Sequence, residues 1–447
     1  MKRLFEKLTE IWNIKDLRIR IQNTLLYLAV YRLGCFIVLP GIDGKIMDAT
    51  RSGQSGLLGL INLFAGGAFS RGAIFALGVM PYISASIVIQ LLGIVVPAFA
   101  KLQKEGESGR KTINQYTRYL TIIITALQGL AYIKTEIPAS AILPGMSMYL
   151  FTISSAIVLS AGTLFVMWLG EKITDKGIGN GVSLIIMVGI IARLPSALVQ
   201  EFSSRITGTG GLIPFIIEMV VLVAVVMFAI LIVQGTRKIP VQYAKKIVGN
   251  KQVGGSRQYL PLKVNAAGVM PIIFAQALMF IPTTLGSLFP SAANNPILMA
   301  FRDYNSWGYN LTFALLIIIF TFFYTAITVN VTEISDSMKR NNGFIPGVKP
   351  GRDTSLFIDR VLSLITLPGS VFLALLAILP SFASLLGVNS NFAHFFGGTS
   401  LLIAVGVVLD TLQQIDSHLV MRRYDGLMKT GRIQGRNSVG ANTFNAA

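Results

Sequence analysis

Ten apolar segments divide this chain, and its positive charge falls on every second stretch between them. The segments cover residues 24–40, 73–97, 119–133, 149–169, 182–199, 212–233, 268–289, 311–331, 361–380 and 399–412. Most are long enough to cross about 30 Å of hydrocarbon at 1.5 Å per residue. A few fall short of the ~20 apolar residues expected of a span, and the first carries Arg32 in its middle. Charge supports these weaker segments. The N-terminal arm, the second, fourth, sixth and eighth loops and the C-terminal tail hold 30 of the 38 Lys and Arg residues. The other 8 lie outside those stretches. Basic loops stay in the cytoplasm, so both termini are expected there and the number of crossings must be even. Ten satisfies that condition.

A net charge of +18 would point to nucleic acid in a soluble protein, but 53% of these residues are apolar and the basic ones sit beside spans. Topology and anionic lipid headgroups account for most of the charge. Cys35, the single cysteine, excludes a disulfide within the chain and a thiolate metal cluster. Residues 1–20 read as a short cationic amphipathic helix, lacking the apolar core and small-residue cleavage site of a signal peptide. The spans divide into residues 21–200 and 201–413, followed by a cytoplasmic tail over 414–447. Five spans per half orient the halves oppositely, as an inverted repeat requires. The expected fold is an all-α polytopic membrane protein of ten helices in two inverted five-helix halves.

Three regions depart from this regular pattern. Gly53–Ser70, between the first two spans, is apolar, rich in glycine, closed by Gly66-Gly67 and too short to span. It suits a short helix re-entering from outside, where irregular backbone survives only if buried in protein or lining a cavity. An interfacial helix lying outside is the alternative. The sixth loop, 235–263, contains Arg237, Lys238, Lys245, Lys246, Lys251, Arg257 and Lys263 and no acidic residue. As a hairpin it could project roughly 45 Å at ~3.3 Å per residue, far beyond what topology needs. The eighth loop, 333–360, carries Lys339, Arg340, Lys349, Arg352 and Arg360 around a tip rich in Gly and Pro. Contact with anionic lipid is the plain reading of both. A protruding basic loop also suits an acidic partner such as ribosomal RNA, where phosphate contacts dominate affinity.

Ionisable residues are sparse in the spans: Arg32, Glu218 near the start of the sixth and Asp410 near the end of the tenth. Coupled transporters generally need intramembrane carboxylates or broken helices at a midplane site. No GxxxxGK[ST] sequence occurs, and Gly177–Gly181 precedes a span rather than following a strand. His394 and His418 have no ligand spacing around them, so neither a cofactor nor a catalytic group is expected.

The run from Phe69 through Ala73-Ile74-Phe75-Ala76-Leu77-Gly78-Val79-Met80-Pro81-Tyr82-Ile83-Ser84 to Gln90-Leu91-Leu92 resembles the second-span signature of the SecY family, the central subunits of the bacterial protein-translocation channel. Lys104–Lys111, Gln115–Tyr119, Pro40–Asp43, Gly177–Ser183, Pro261–Val264, Gly397–Ile403 and the Tyr424 region extend the likeness over essentially the whole chain. The resemblance implies an hourglass channel in the bacterial cell membrane that passes unfolded preproteins outward and releases apolar helices sideways. It is not an enzyme; partners supply the energy.

By motif position the resemblance implies an aliphatic pore ring of Val79, Ile83, Ile186, Ile190, Ile273 and Ile403. Without the family, Val and Ile at helical spacing would read as core or lipid contacts. The implied plug covers about 56–69, including Gly56, Leu57, Leu60, Ile61, Asn62, Leu63, Phe64, Gly66, Gly67 and Phe69. Gln90 is a candidate lateral-gate residue, with an ordinary interhelical hydrogen bond as the alternative. Docking of the ribosome or the SecA motor falls to Arg237, Lys238, Lys245, Lys246, Lys251, Arg257, Lys339, Arg340, Lys349 and Arg352. Lys349 stands where the family commonly has Arg, which keeps the charge and loses the bidentate fork unless Arg352 substitutes. SecE and SecG are the implied small subunits, signal-bearing preproteins the cargo and anionic lipids the surroundings. A small-solute secondary transporter shares the hydropathy, and an insertase or intramembrane enzyme would need a polar groove or catalytic pair.

Overall fold

The computed structural model describes residues 12, 14–44, 46–47, 57–143, 147–207, 211–243, 245–248, 251–254, 257–288 and 305–429. Within them the chain is predominantly helical, and each predicted apolar segment overlaps a helix. In chain order these are α1 (Lys15–Gly34), the short α2 (Leu57–Phe64), α3 (Met80–Val95), α4 (Pro97–Lys104), α5 (Glu107–Glu136), α6 (Met148–Lys176), α7 (Gly181–Thr207) and α8 (Leu212–Gln234). After four strands follow α9 (Met270–Leu288), α10 (Trp307–Thr328), α11 (Val331–Arg340), α12 (Arg352–Leu385), α13 (Ser390–Ala393) and α14 (Gly398–Lys429).

Six helical runs are long and apolar enough to cross a membrane: α6, α7, α8, Trp307–Arg340, α12 and Ser390–Met421. The bent pair α3 and α4, which turn by 105° at Val96, makes up to seven. The chain is therefore a multi-pass membrane protein. Three predicted spans fall below that standard for identifiable reasons. Helix α1 carries Lys15, Asp16, Arg18, Arg20 and Arg32, and α5 opens on the charged run from Glu107 to Arg118. In α9 the described apolar stretch is only Met270–Met279.

The second predicted span is not helical from residue 73. Residues 65–79 form successive turns, and the helix begins only at Met80, with Pro81 in its first turn where a missing N–H costs nothing. The turns are pinned by the extended segment after α1: Leu39 N–H donates to Gly72 C=O at 2.8 Å and Ile74 N–H to Ile37 C=O at 2.9 Å. Val79 thus caps α3, with Ile83 N–H donating to its carbonyl at 3.0 Å.

The all-α expectation fails at the basic loops, which are partly strand. β1 (Thr236–Tyr243) pairs antiparallel with β4 (Arg257–Lys263), from Thr236 opposite Lys263 to Gln242 opposite Arg257. Between them β2 (Lys245–Val248) and β3 (Lys251–Gly254) make a second antiparallel pair. β5 (Gly343–Phe344) of the other basic loop joins the free edge of β1, giving the order β4-β1-β5. Ile239, Val241, Leu262, Met338, Ile345, Ile358 and Leu362 bury a small core of their own beneath this sheet. A pattern read segment by segment cannot register a strand partner about a hundred residues away.

At the basic end of the bundle, α1, the α6–α7 turn and α14 meet. Ile178 N–H donates to Thr24 Oγ1 at 3.1 Å, Gly179 N–H to Gln414 Oε1 at 2.9 Å, and Leu17, Ile178 and Leu419 bury together.

Candidate functional site: an aliphatic seal and a plug seat

Val79 and Ile83 lie four residues apart at the start of α3, and Ile186 and Ile190 four apart on α7, so each pair shares a helix face. Ile273 sits in the first turn of α9 and Ile403 in the second turn of α14. All six are between 1% and 7% exposed and belong to one continuous apolar core. Their helices are successive neighbours, α3 packing on α9, α9 on α14 and α14 on α7. Gly406, one turn beyond Ile403, makes the α14–α9 approach possible, because a Cβ there would lie 2.5 Å from Val269 Cγ1.

The short helix α2 rests on α7, one residue from Ile190. A Cβ on Gly189 would come within 2.7 Å of Phe64 C=O and 3.2 Å of Gly66 N, so only glycine lets the backbone at the end of α2 lie this close to α7. Leu63, Phe64, Ala65, Ala68 and Phe69 are buried in the same core as the six ring positions. Asn62 closes the turn after the helix: its backbone carbonyl accepts Gly67 N–H at 2.8 Å and its Oδ1 accepts Ser70 N–H at 3.1 Å. Leu57, Leu60 and Ile61 belong to α2, and Gly56 lies outside the described residues.

Gly66 and Gly67 have φ of 61° and 91°, the left-handed region that favours glycine. Arg32 Nη1 donates to Gly66 C=O at 3.0 Å and Arg193 Nη2 to Ser70 Oγ at 3.1 Å. Tyr132 Oη donates to Phe69 C=O at 2.7 Å, its ring edge-on to Phe69 at 4.8 Å. Cys35 lies just past α1, its Sγ 3.9 Å from Ala65 C=O. Arg193, Tyr132, Ser70 and Gly189 are contributors that the sequence reading did not single out. Arg193 left a readable signal, an ionisable residue inside the predicted fifth span, which corrects the short inventory of such residues.

The two carboxylates of the predicted spans sit on α8 and α14. Glu218 shares Arg205 with Glu201: Arg205 Nη2 lies 2.5 Å from Glu218 Oε1 and its Nε lies 2.9 Å from Glu201 Oε1. Arg205 also donates to Gly387 C=O, and Glu201 Oε2 accepts Asn389 N–H, both at 2.9 Å, so this cluster ties α7 to the α12–α13 connection. Asp410 is exposed on α14, one turn before Gln413, whose Oε1 accepts Lys263 Nζ at 3.2 Å.

Gln90 is half-buried and its amide reaches Ser86 Oγ of its own helix at 3.4 Å. α9 packs against both α3, the helix that carries Gln90, and α5. Of the basic residues, Arg237 and Lys238 are exposed on β1, Arg257 on β4, Lys339 and Arg340 in the last turn of α11, Lys349 in the tip turn and Arg352 at the start of α12. Lys245, Lys246 and Lys251 lie on the β2–β3 pair.

A family model described as SecY matches residues 73–412. The protein translocase subunit SecY of Halalkalibacterium halodurans is 44% identical over 438 residues, covering 95% of this chain and 100% of that one. The subunit of the same name from Thermus thermophilus is 43% identical over 433 residues, covering 95% and 98%. Among solved structures, "The structure of a protein conducting channel" is similar at a TM-score of 0.64 and 18% identity, covering 89% of this chain and 91% of the other. Sec61 in the canine ribosome-channel complex from the endoplasmic reticulum has a TM-score of 0.57 at 18% identity, with the same coverages. These structural likenesses speak to fold, and the sequence matches to kinship. With the family model spanning most of its length and close relatives matching end to end, the chain belongs to the SecY family.

Proposed function

We propose that the chain is a passive protein-conducting channel whose ten helices form two inverted halves, residues 21–200 and 201–413, around a seal of Val79, Ile83, Ile186, Ile190, Ile273 and Ile403. Branched aliphatic side chains offer water and ions no hydrogen bonds, so such a constriction dewets and blocks leakage while gripping no side-chain type strongly. An unfolded chain of any sequence can then pass. The observation that carries this reading is the seating of α2 on Gly189, beside Ile186 and Ile190 of the ring helix. A helix too short to span, buried on the ring, is a plug rather than a crossing.

The seam where α3 and α5 meet α9 serves as the lateral gate, with Gln90 of α3 as its candidate residue. A segment leaves through it when its apolar burial, at about 25 cal/mol per Å², exceeds the cost of its polar groups. The chain resides in the bacterial cell membrane with both termini cytoplasmic, in complex with SecE and SecG. The sheet of the two basic loops and the adjoining α11 and α12 ends dock the SecA motor or the ribosome, through Arg237, Lys238, Lys245, Lys246, Lys251, Arg257, Lys339, Arg340, Lys349 and Arg352. Anionic lipid meets the remaining basic surface. The likeness to Sec61 in a ribosome-channel complex supports the ribosome as one such partner. Proteoliposomes holding this chain with SecE and SecG test the reading: ion-tight vesicles that import a signal-bearing precursor only with motor and ATP support it. Gradient-driven uptake of a small solute without a motor would favour a transporter.

A further inference from the structure

We propose that Arg32, Arg193 and Tyr132 form a three-point clasp that holds the plug by its hinge and sets how readily the channel opens. This rests on reading α2 as the plug. The three donors come from three helices, α1, α7 and α5, and converge on five consecutive residues, Gly66–Ser70, that join α2 to the turns before α3. Two of the three bonds are charge-assisted, which makes them roughly twice as strong as neutral ones.

The hinge is shaped for these partners. A Cβ on Gly66 would lie 2.5 Å from Arg32 Nη1, and one on Gly67 between 2.6 and 2.9 Å from the Arg193 guanidinium. Paired glycines therefore supply the left-handed turn and also let two guanidinium groups lie against bare backbone. Arg32 and Arg71 both face the Phe36 ring, at 5.5 and 4.6 Å, which positions the Arg32 head group from its other side.

All three donors belong to residues 21–200. Parting the two halves breaks none of these bonds, so the plug stays with the first half until the clasp itself yields. Release of the plug is then a step separate from opening of the lateral seam, with its own energetic threshold.

The test uses the complete complex with SecE and SecG in liposomes and reads two quantities. One is ion leak, and the other is the ratio of import for a precursor with a defective signal to that for an intact one. Losing one bond to a charged group shifts the closed-to-open ratio by about tenfold. Arg193→Gln is accordingly expected to raise both quantities by about that factor, with Arg193→Lys in between. Ser70→Ala removes the Arg193 bond from its acceptor side and should raise both to a similar degree, whereas Tyr132→Phe removes a neutral bond and should raise both more modestly; these two serve as well if Arg193 variants fail to assemble. In a channel lacking residues 57–64, Arg193→Gln should add nothing. A tight, selective Arg193→Gln channel would overturn the clasp, as would an equal rise in leak with and without the plug. Failure of the unaltered chain to import any precursor would instead overturn the channel reading, while the leak comparison would still decide the clasp.

Discussion

Ile83 and Ile403 are 6% and 1% exposed and sit on helices that each pack on α9. Replacing either by Asn places an amide that holds water in the proposed constriction, which would work by excluding it. Vesicles carrying Ile83→Asn or Ile403→Asn should leak ions and import precursors with weakened signals; fully tight and selective variants would remove these positions from the ring. A different outcome is expected at Arg205, which bridges Glu201 and Glu218. Arg205→Met leaves two facing carboxylates without their shared cation, and breaking a buried pair of this kind costs about 3–5 kcal/mol. The purified variant should melt well below the parent in detergent, and an unchanged melting temperature would show that the cluster is solvated. What sequence made legible differs among such residues. Arg32, Glu218 and Arg193 announce themselves by charge within apolar runs, although their partners do not. Nothing in the spacing of Val79, Ile83, Ile186 and Ile190 separates a pore lining from an ordinary core, since both bury aliphatic side chains at four-residue intervals. Only the family signature around them made that distinction.

The helices were readable because a membrane span must satisfy its backbone internally and therefore writes a long apolar run. The turns over residues 73–79 were hidden because their composition is as apolar as a helix; Gly72, Gly78 and the pairing with residues 37–39 decide their conformation. Likewise, the small core under the sheet joins residues from both basic loops, so those loops form one body. Met338, 7% exposed, enters from α11 the core that also holds Ile239 and Val241 of β1. Met338→Asp should therefore loosen both loops together, seen as faster proteolysis of each, whereas cutting confined to the altered loop would mean they are independent. Charge reversal of Lys245 and Lys246, on the β2 strand, is expected to weaken ribosome binding and flatten its salt dependence. Unchanged binding would return this hairpin to the role of a lipid contact.

On the proposed reading, α3, α7, α9 and α14 bring the ring together with the plug at a waist inside the bundle. Its mechanism asks little chemistry of the chain: the waist must be dry when closed, indifferent to sequence when open, and hinged so that a helix can leave sideways. The α6–α7 turn and the Arg205 cluster hold α7 to second-half elements at both of its ends. The seam between α3 and α9 is separate from both attachments and is the opening we propose. The most direct test of this account is protease protection of a signal-bearing precursor in liposomes that contain the chain with SecE and SecG. Protected precursor appearing only when SecA and ATP are both present is the predicted result. Absence of protected product with a motor verified on another channel, or protection without any motor, would contradict it.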